Sequence, residues 1–318
     1  MKTQRTSAIK RGFTLMELMV AMAITTIIVT VLVSITSIAL ETWNRSRAEL
    51  RASRQAKSMI DTMARDFESL VTRRGNTSEW LSAIVDPDLG TLGDKMKSEN
   101  AAKLIFFTAA TDRYAGQIGT ATDLGGDVSC VAYQLQYRDP IDPAGSSKFK
   151  TFVLNRLLKD PKDTFDKLLG KTDSADAAKS LDKVFTAQYG TELSKPENFV
   201  CENIFQFSMT FHVQVTDTTK TPAVQVDVPI TIGKTNSGQI TKSFTMNGTG
   251  IKTEITGGTY TPAQVAAGRV TAMEISVTVI SDFGIDQLRN RTFTGSQQAE
   301  FLAKNSYEYT KLVQIPSM

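Results

Sequence analysis

From Leu18 to Leu40 the chain runs 23 residues without a charge, rich in Ile, Val, Leu, Met, Ala and Thr. About 20 such residues cross a bilayer as a helix, so this stretch is long enough to span. The pattern then changes without a break. Met59, Ile60, Met63, Phe67, Leu70 and Val71 recur at steps of three and four, the spacing of one helix face, while Arg54, Asp61, Arg65 and Glu68 fall elsewhere. No glycine or proline interrupts Phe13 to Arg74. One continuous helix over 13–74 is therefore expected, membrane-spanning over 13–40 and amphipathic over 41–74. Arg73-Arg74-Gly75-Asn76 supplies its stop. The heptad is too ragged for a coiled-coil stalk.

Beyond residue 75 the period changes to two. Val131, Tyr133, Leu135 and Tyr137 alternate with Ala132, Gln134 and Gln136. Phe205, Phe207, Met209, Phe211 and Val213 alternate with Gln206, Ser208, Thr210 and His212; Met273, Ile275, Val277 and Val279 do so with Glu274, Ser276 and Thr278. This is the pattern of antiparallel strands with one face buried. Leu104–Phe107 and Thr310–Ile315 are further strand candidates, and 224–244 reads as a hairpin around Gly233 and Gly238. Between Asp160 and Tyr189 the composition shifts to Lys, Asp, Ala and Leu, which predicts a helical insertion near 160–189. The expected fold class is α+β: a long N-terminal helix laid on antiparallel sheet, the β-rich body filling 75–318.

Charge refines the picture at the N-terminus. The formal net charge of the 318 residues is +3, from 36 basic and 33 acidic side chains. Lys2, Arg5, Lys10 and Arg11 account for the excess: 36 less these 4 leaves 32 basic against 33 acidic. A chain without them carries no electrostatic footprint for nucleic acid. The four leader cations place the N-terminus on the cytoplasmic side and the body outside it, a single-pass inner-membrane arrangement. Arg45, Arg47, Arg51 and Arg54 follow the span but have Glu41 and Glu49 among them. A secretory signal peptide ending near Ser37-Ile38-Ala39 competes with this reading, but its apolar region is usually shorter.

Arg11-Gly12-Phe13-Thr14-Leu15-Met16-Glu17-Leu18 resembles the prepilin peptidase site of the type IV pilin superfamily. The resemblance implies a pilin-like fold, cleavage after Gly12, methylation of the new N-terminal Phe13, and prepilin peptidase as a partner. The first twelve residues are then a leader. Glu17 becomes the fifth mature residue, and a carboxylate in an apolar span is expensive enough to demand a role. Pairing with the Phe13 amine of a neighbouring pilin or pseudopilin subunit is the role expected for it. The body resembles, more loosely, the larger minor pseudopilin of type II secretion systems, the J-type subunit. The segments that match are Leu104–Phe107, Val131–Leu135, Phe152–Arg156, Val270–Ser281 and Tyr309–Pro316. The insertion at 160–189 and the Thr/Gly-rich stretch 216–268 depart from it.

Other chemistry is sparse. His212, the one histidine, lies on the polar face of its strand without a companion histidine. Asp86-Pro87-Asp88 and Asp139-Pro140-Ile141-Asp142 lack the alternating oxygen ligands of an EF-hand and read as turns. Gly125-Gly126 and Gly257-Gly258 lack the lysine and helix of a phosphate loop. Cys130 and Cys201 allow one intramolecular disulfide; Cys201 has the inward parity of Phe205, Cys130 that of Ala132, so the pairing hangs on strand register. No catalytic residue, metal site or cofactor is expected. Two functional classes follow: a minor pilin or pseudopilin of a filament tip or priming complex, or a tethered module binding DNA, a surface or a secreted substrate.

Overall fold

The computed structural model describes residues 14–72, 75, 77–85, 102–109, 128–140, 150–173, 175–217, 220–232, 239–256, 259–291, 293 and 295–315. The chain divides into two units, residues 1–49 and 50–318.

In the first unit the helix α1, Leu15–Glu68, begins. It meets the length and composition of a membrane span, and its most apolar window buries none of its residues. The polar residues of this window satisfy themselves. Thr25 Oγ1 donates to Ala21 O at 2.8 Å, Thr30 Oγ1 to Thr26 O at 2.8 Å and Ser34 Oγ to Thr30 O at 2.9 Å. Hydroxyls bonded back to the preceding turn need no outside partner in an apolar layer.

In the second unit the same helix buries Ala52, Ala56, Met59, Ile60, Met63, Ala64 and Phe67. Each large apolar side chain so buried contributes about 1.5–3 kcal/mol. The helix stops at Glu68, short of the expected end at Arg74. The cause is pairing: Leu70 bridges Thr108, Val71 N donates to Phe107 O at 2.9 Å, and Ala109 N donates to Ser69 O at 2.8 Å. Sheet bonds to the strand that ends at Thr108 replace the last helical turns. Arg73, Arg74 and Asn76 lie outside the described residues.

The strands are β1 Glu79–Val85, β2 Ala102–Thr108, β3 Ser129–Arg138, β4 Thr151–Lys159, β5 Phe199–Glu202, β6 Ile204–Asp217, β7 Val224–Ile232, β8 Gln239–Asn247, β9 Gly250–Thr256, β10 Arg269–Ile280 and β11 Ser306–Gln314. They form one sheet in the order β11-β10-β6-β7-β8-β1-β2-β3-β4-β5, with β9 beside β8. Helices α2 Leu181–Leu193, α3 Pro262–Ala266, α4 Asp282–Asn290 and α5 Gly295–Asn305 lie between strands.

Two expectations need correction. First, 224–244 is not a hairpin: β7 and β8 run parallel, with Ile230 opposite Gln239 and Ile232 opposite Thr241. Further along, β8 pairs antiparallel with β1 from Ser243 to Asn247 and with β9. The glycines mark where the chain breaks, not which neighbour the next strand takes. Residues 233–238 lie outside the described residues.

Second, β3 does not expose one face. Burial runs through Ser129–Leu135 without alternation, because the insertion covers the second side. Lys103 Nζ reaches Asp182 at 2.6 Å and Thr186 Oγ1 at 2.6 Å, and Gln136 Nε2 donates to Ser194 Oγ at 2.9 Å. Tyr133 and Phe106, of the opposite parity, meet α1: the Phe67 and Phe106 rings stand 5.1 Å apart. Strands β6 and β10, without that cover, keep the alternating pattern.

Candidate processing and assembly site

At the start of α1, Thr14 and Glu17 cap the helix reciprocally. Thr14 N donates to Glu17 Oε2 at 2.9 Å, and Thr14 Oγ1 donates to the same oxygen at 3.0 Å. Glu17 N donates to Thr14 Oγ1 at 3.3 Å. This is a capping box, and it satisfies donors that the first helical turn cannot pair for itself. Thr14-x-x-Glu17 is its sequence signature, which a reading of Glu17 as an intersubunit partner alone misses. Glu17 is exposed and has the carboxylate oxygens to serve a further donor. The predicted cleavage residues Gly12 and Phe13 lie outside the described residues.

A second set of residues joins α1 to the sheet. Asp66 sits on the buried stripe of α1, three residues after Met63. Arg156 Nε donates to Asp66 Oδ2 at 2.7 Å and Arg156 Nη2 to Oδ1 at 2.9 Å, a bidentate pair; Tyr133 Oη also donates to Asp66. Burial, and then the charge of Asp66, push the Tyr133 hydroxyl well above the ordinary tyrosine range. Toward the edges of the body, Arg51 meets Glu202 at 2.8 Å and Lys311 meets Asp61 at 2.6 Å. The bond from Lys311 holds the Asp61 carboxyl below its ordinary range. An acid inside an apolar stripe is the signal by which Asp66 is legible; its partner Arg156 carries none.

Cys130 and Cys201 are free, buried thiols, so the disulfide the sequence allows does not form. Cys130 pairs with Lys159 of β4 and Cys201 with Leu154 of the same strand. An odd separation along β4 puts the two on opposite faces of the sheet, beyond bridging geometry. Burial pushes the Cys201 thiol up to about 12 and the Cys130 thiol higher still.

His212 has carboxylate neighbours after all. Its Nδ1 lies 2.8 Å from Asp227 Oδ2 and its Nε2 4.0 Å from Glu274 Oε2, across three adjacent strands. Among the described residues no three His, Cys, Asp or Glu side chains gather as a metal site. Asp86-Pro87-Asp88, Ile141-Asp142, Gly125-Gly126 and Gly257-Gly258 lie outside the described residues.

A continuous helix that opens with a Thr-Glu capping box and runs into a bare apolar span is the arrangement of a membrane-anchored chain. Residues 8–33 match the family model described as the prokaryotic N-terminal methylation motif, so the chain carries a prepilin-type N-terminus. Among solved structures, a type IV-like pilin from Thermus thermophilus is similar to this chain at a TM-score of 0.31 and 8% identity. The match covers 84% of this chain and 96% of that one. No curated protein matches.

Proposed function

We propose that the chain is a prepilin-type subunit of a pilus or pseudopilus, and that the match of residues 8–33 to the methylation motif carries this reading. Prepilin peptidase cuts after Gly12 and Phe13 is methylated. The segment 13–40 then anchors the protein in the inner membrane as a single pass, the N-terminus having been cytoplasmic and the body extracytoplasmic. Glu17 has two roles in this account. Within its own chain it caps the helix with Thr14; between chains it takes the Phe13 amine of a neighbour.

The subunit packs head-to-tail with other pilins or pseudopilins, the kind of contact that builds open helical filaments. The 269 residues of the unit 50–318 are a large load to repeat along a shaft. That size favours a low-copy place in the tip or priming complex, as in the minor pseudopilins of type II secretion.

The two roles of Glu17 separate by substitution. Glu17→Gln keeps an oxygen for the cap but loses the charge; Glu17→Ala loses both. On this proposal both variants leave the body folded and enter sheared filaments at least about tenfold less than the wild type. The basis is that an unpaired charge in an apolar layer costs about 2.5–3.5 kcal/mol. Normal incorporation of Glu17→Gln, measured by immunoblot of the filament fraction, would remove the intersubunit role.

A further inference from the structure

Lys103 lies in β2 with a strand on either side, opposite Ile84 of β1 and Gln134 of β3. Its side chain reaches the face that α2 covers and is only 6% exposed; that of its partner Asp182, in the first turn of α2, is 14% exposed. The two meet at 2.6 Å, and Lys103 Nζ also donates to Thr186 Oγ1, one turn further along α2, at 2.6 Å. Taking a charge pair this far out of water is costly, and merging the two groups into a neutral amide removes that cost.

Both groups are held in place. The two flanking strands fix the Lys103 backbone, and Glu79 of β1 fixes the start of α2, its Oε2 accepting from Leu181 N at 2.7 Å. Glu79 is itself buried. Burial raises its carboxyl above the ordinary range; the charge of Asp182 adds to the rise, while the Leu181 amide, Lys252 and Thr245 oppose it. An amine, a carboxyl and a proton-bearing acid, fixed in position with water held out, are the groups that amide condensation needs. The Lys162–Asp166 pair is as short, at 2.6 Å, but more than half of each side chain is exposed, so water keeps it an ion pair.

We propose that Lys103 and Asp182 condense to an isopeptide bond that ties the α2 insertion covalently to the sheet, with Glu79 carrying the proton. The ion pair passes one proton from Lys103 Nζ to Asp182 Oδ1. The neutral amine attacks Asp182 Cγ, and the N–C bond forms. Glu79 gives its proton to the departing hydroxyl, the C–O bond breaks and one water leaves. The Glu79 carboxylate then takes the surplus proton from nitrogen. The amide N–H that remains has Thr186 Oγ1 as its acceptor. The inference does not depend on the filament reading.

The test uses the full chain, extracted in detergent, denatured, reduced and digested with trypsin before mass spectrometry. The proposal expects the peptide bearing Lys103, uncut after that residue, joined to the peptide bearing Asp182 and lighter than their sum by one water. The joined species is lost in Lys103→Arg. In Glu79→Gln it accumulates about a hundredfold more slowly after synthesis, the contribution of a positioned proton carrier. Two separate, unmodified peptides from the wild type would overturn the bond, whatever the variants do to folding. Linkage at the wild-type rate in Glu79→Gln would overturn the role of Glu79.

Discussion

Asp66 occupies a position that helical spacing assigns to an apolar side chain, and Arg156 reaches it with two charge-assisted bonds in a site nearly closed to water. Removing one member of such a pair leaves a buried charge, at a cost of about 3–5 kcal/mol. Asp66→Ala is therefore expected to lower the denaturation midpoint of the body strongly; a loss under about 1 kcal/mol in chemical denaturation would show that the pair does not hold α1 to the sheet. Arg138 provides the opposite case. It is also buried, but it is held through Nη2, which donates to Asn155 Oδ1 at 2.8 Å, while its Nε and Nη1 have no partner. Burial holds its guanidinium below the ordinary arginine range. Arg138→Met relieves that desolvation and is expected to cost less than about 1 kcal/mol, or to stabilise. A loss as large as that of Asp66→Ala would contradict this. The cysteines show how far residue patterns reach. Their opposite parity is visible in the sequence, but only the β4 register turns parity into opposite faces. Both thiols are expected to resist alkylation in the native chain and both to react in denaturant without reductant. A mass showing no added groups would reveal a bridge.

Among the elements, α1 was legible almost throughout, because its period, its span and its lack of breakers are local properties. Its end was not, because Leu70 and Val71 leave the helix to pair with β2, a partner more than thirty residues on. The course of the 224–244 segment is hidden for a related reason: turn chemistry is local, while the parallel pairing of β8 with β7 and its antiparallel pairing with β1 are not. The double burial of β3 likewise depends on the insertion between β4 and β5. Replacing residues 161–193 by a short linker should uncover Ile105, Phe107, Cys130 and Ala132 and make Cys130 open to alkylation in an otherwise native buffer. Continued protection would mean the insertion is not their cover. The tie between α1 and β11 has its own pH signature. Lys311 lowers the Asp61 carboxyl in the folded chain, so its contribution is present above the unfolded carboxylate range and is lost as pH falls through the folded value. In Lys311→Gln that contribution is missing at neutral pH, so the acid-side loss of stability should be shallower. An unchanged or steeper acid limb would discount the tie. Both side chains are well exposed, so the effect is small.

For the whole molecule, the parts that speak to function are those nearest the N-terminus. Arg11 to Leu18 is a contiguous motif, and contiguity is why it could be read directly, whereas the strand order of the body could not. Thr14 belongs to both descriptions: it is the second residue of the expected mature chain and the N-cap of α1. Filament assembly on this proposal requires removal of the leader at Gly12. The most direct measurement is the mass of the N-terminal peptide after co-expression of the full chain with a prepilin peptidase. The account predicts a chain that begins at methylated Phe13. A chain that keeps its leader, or begins after Ala39, would contradict it.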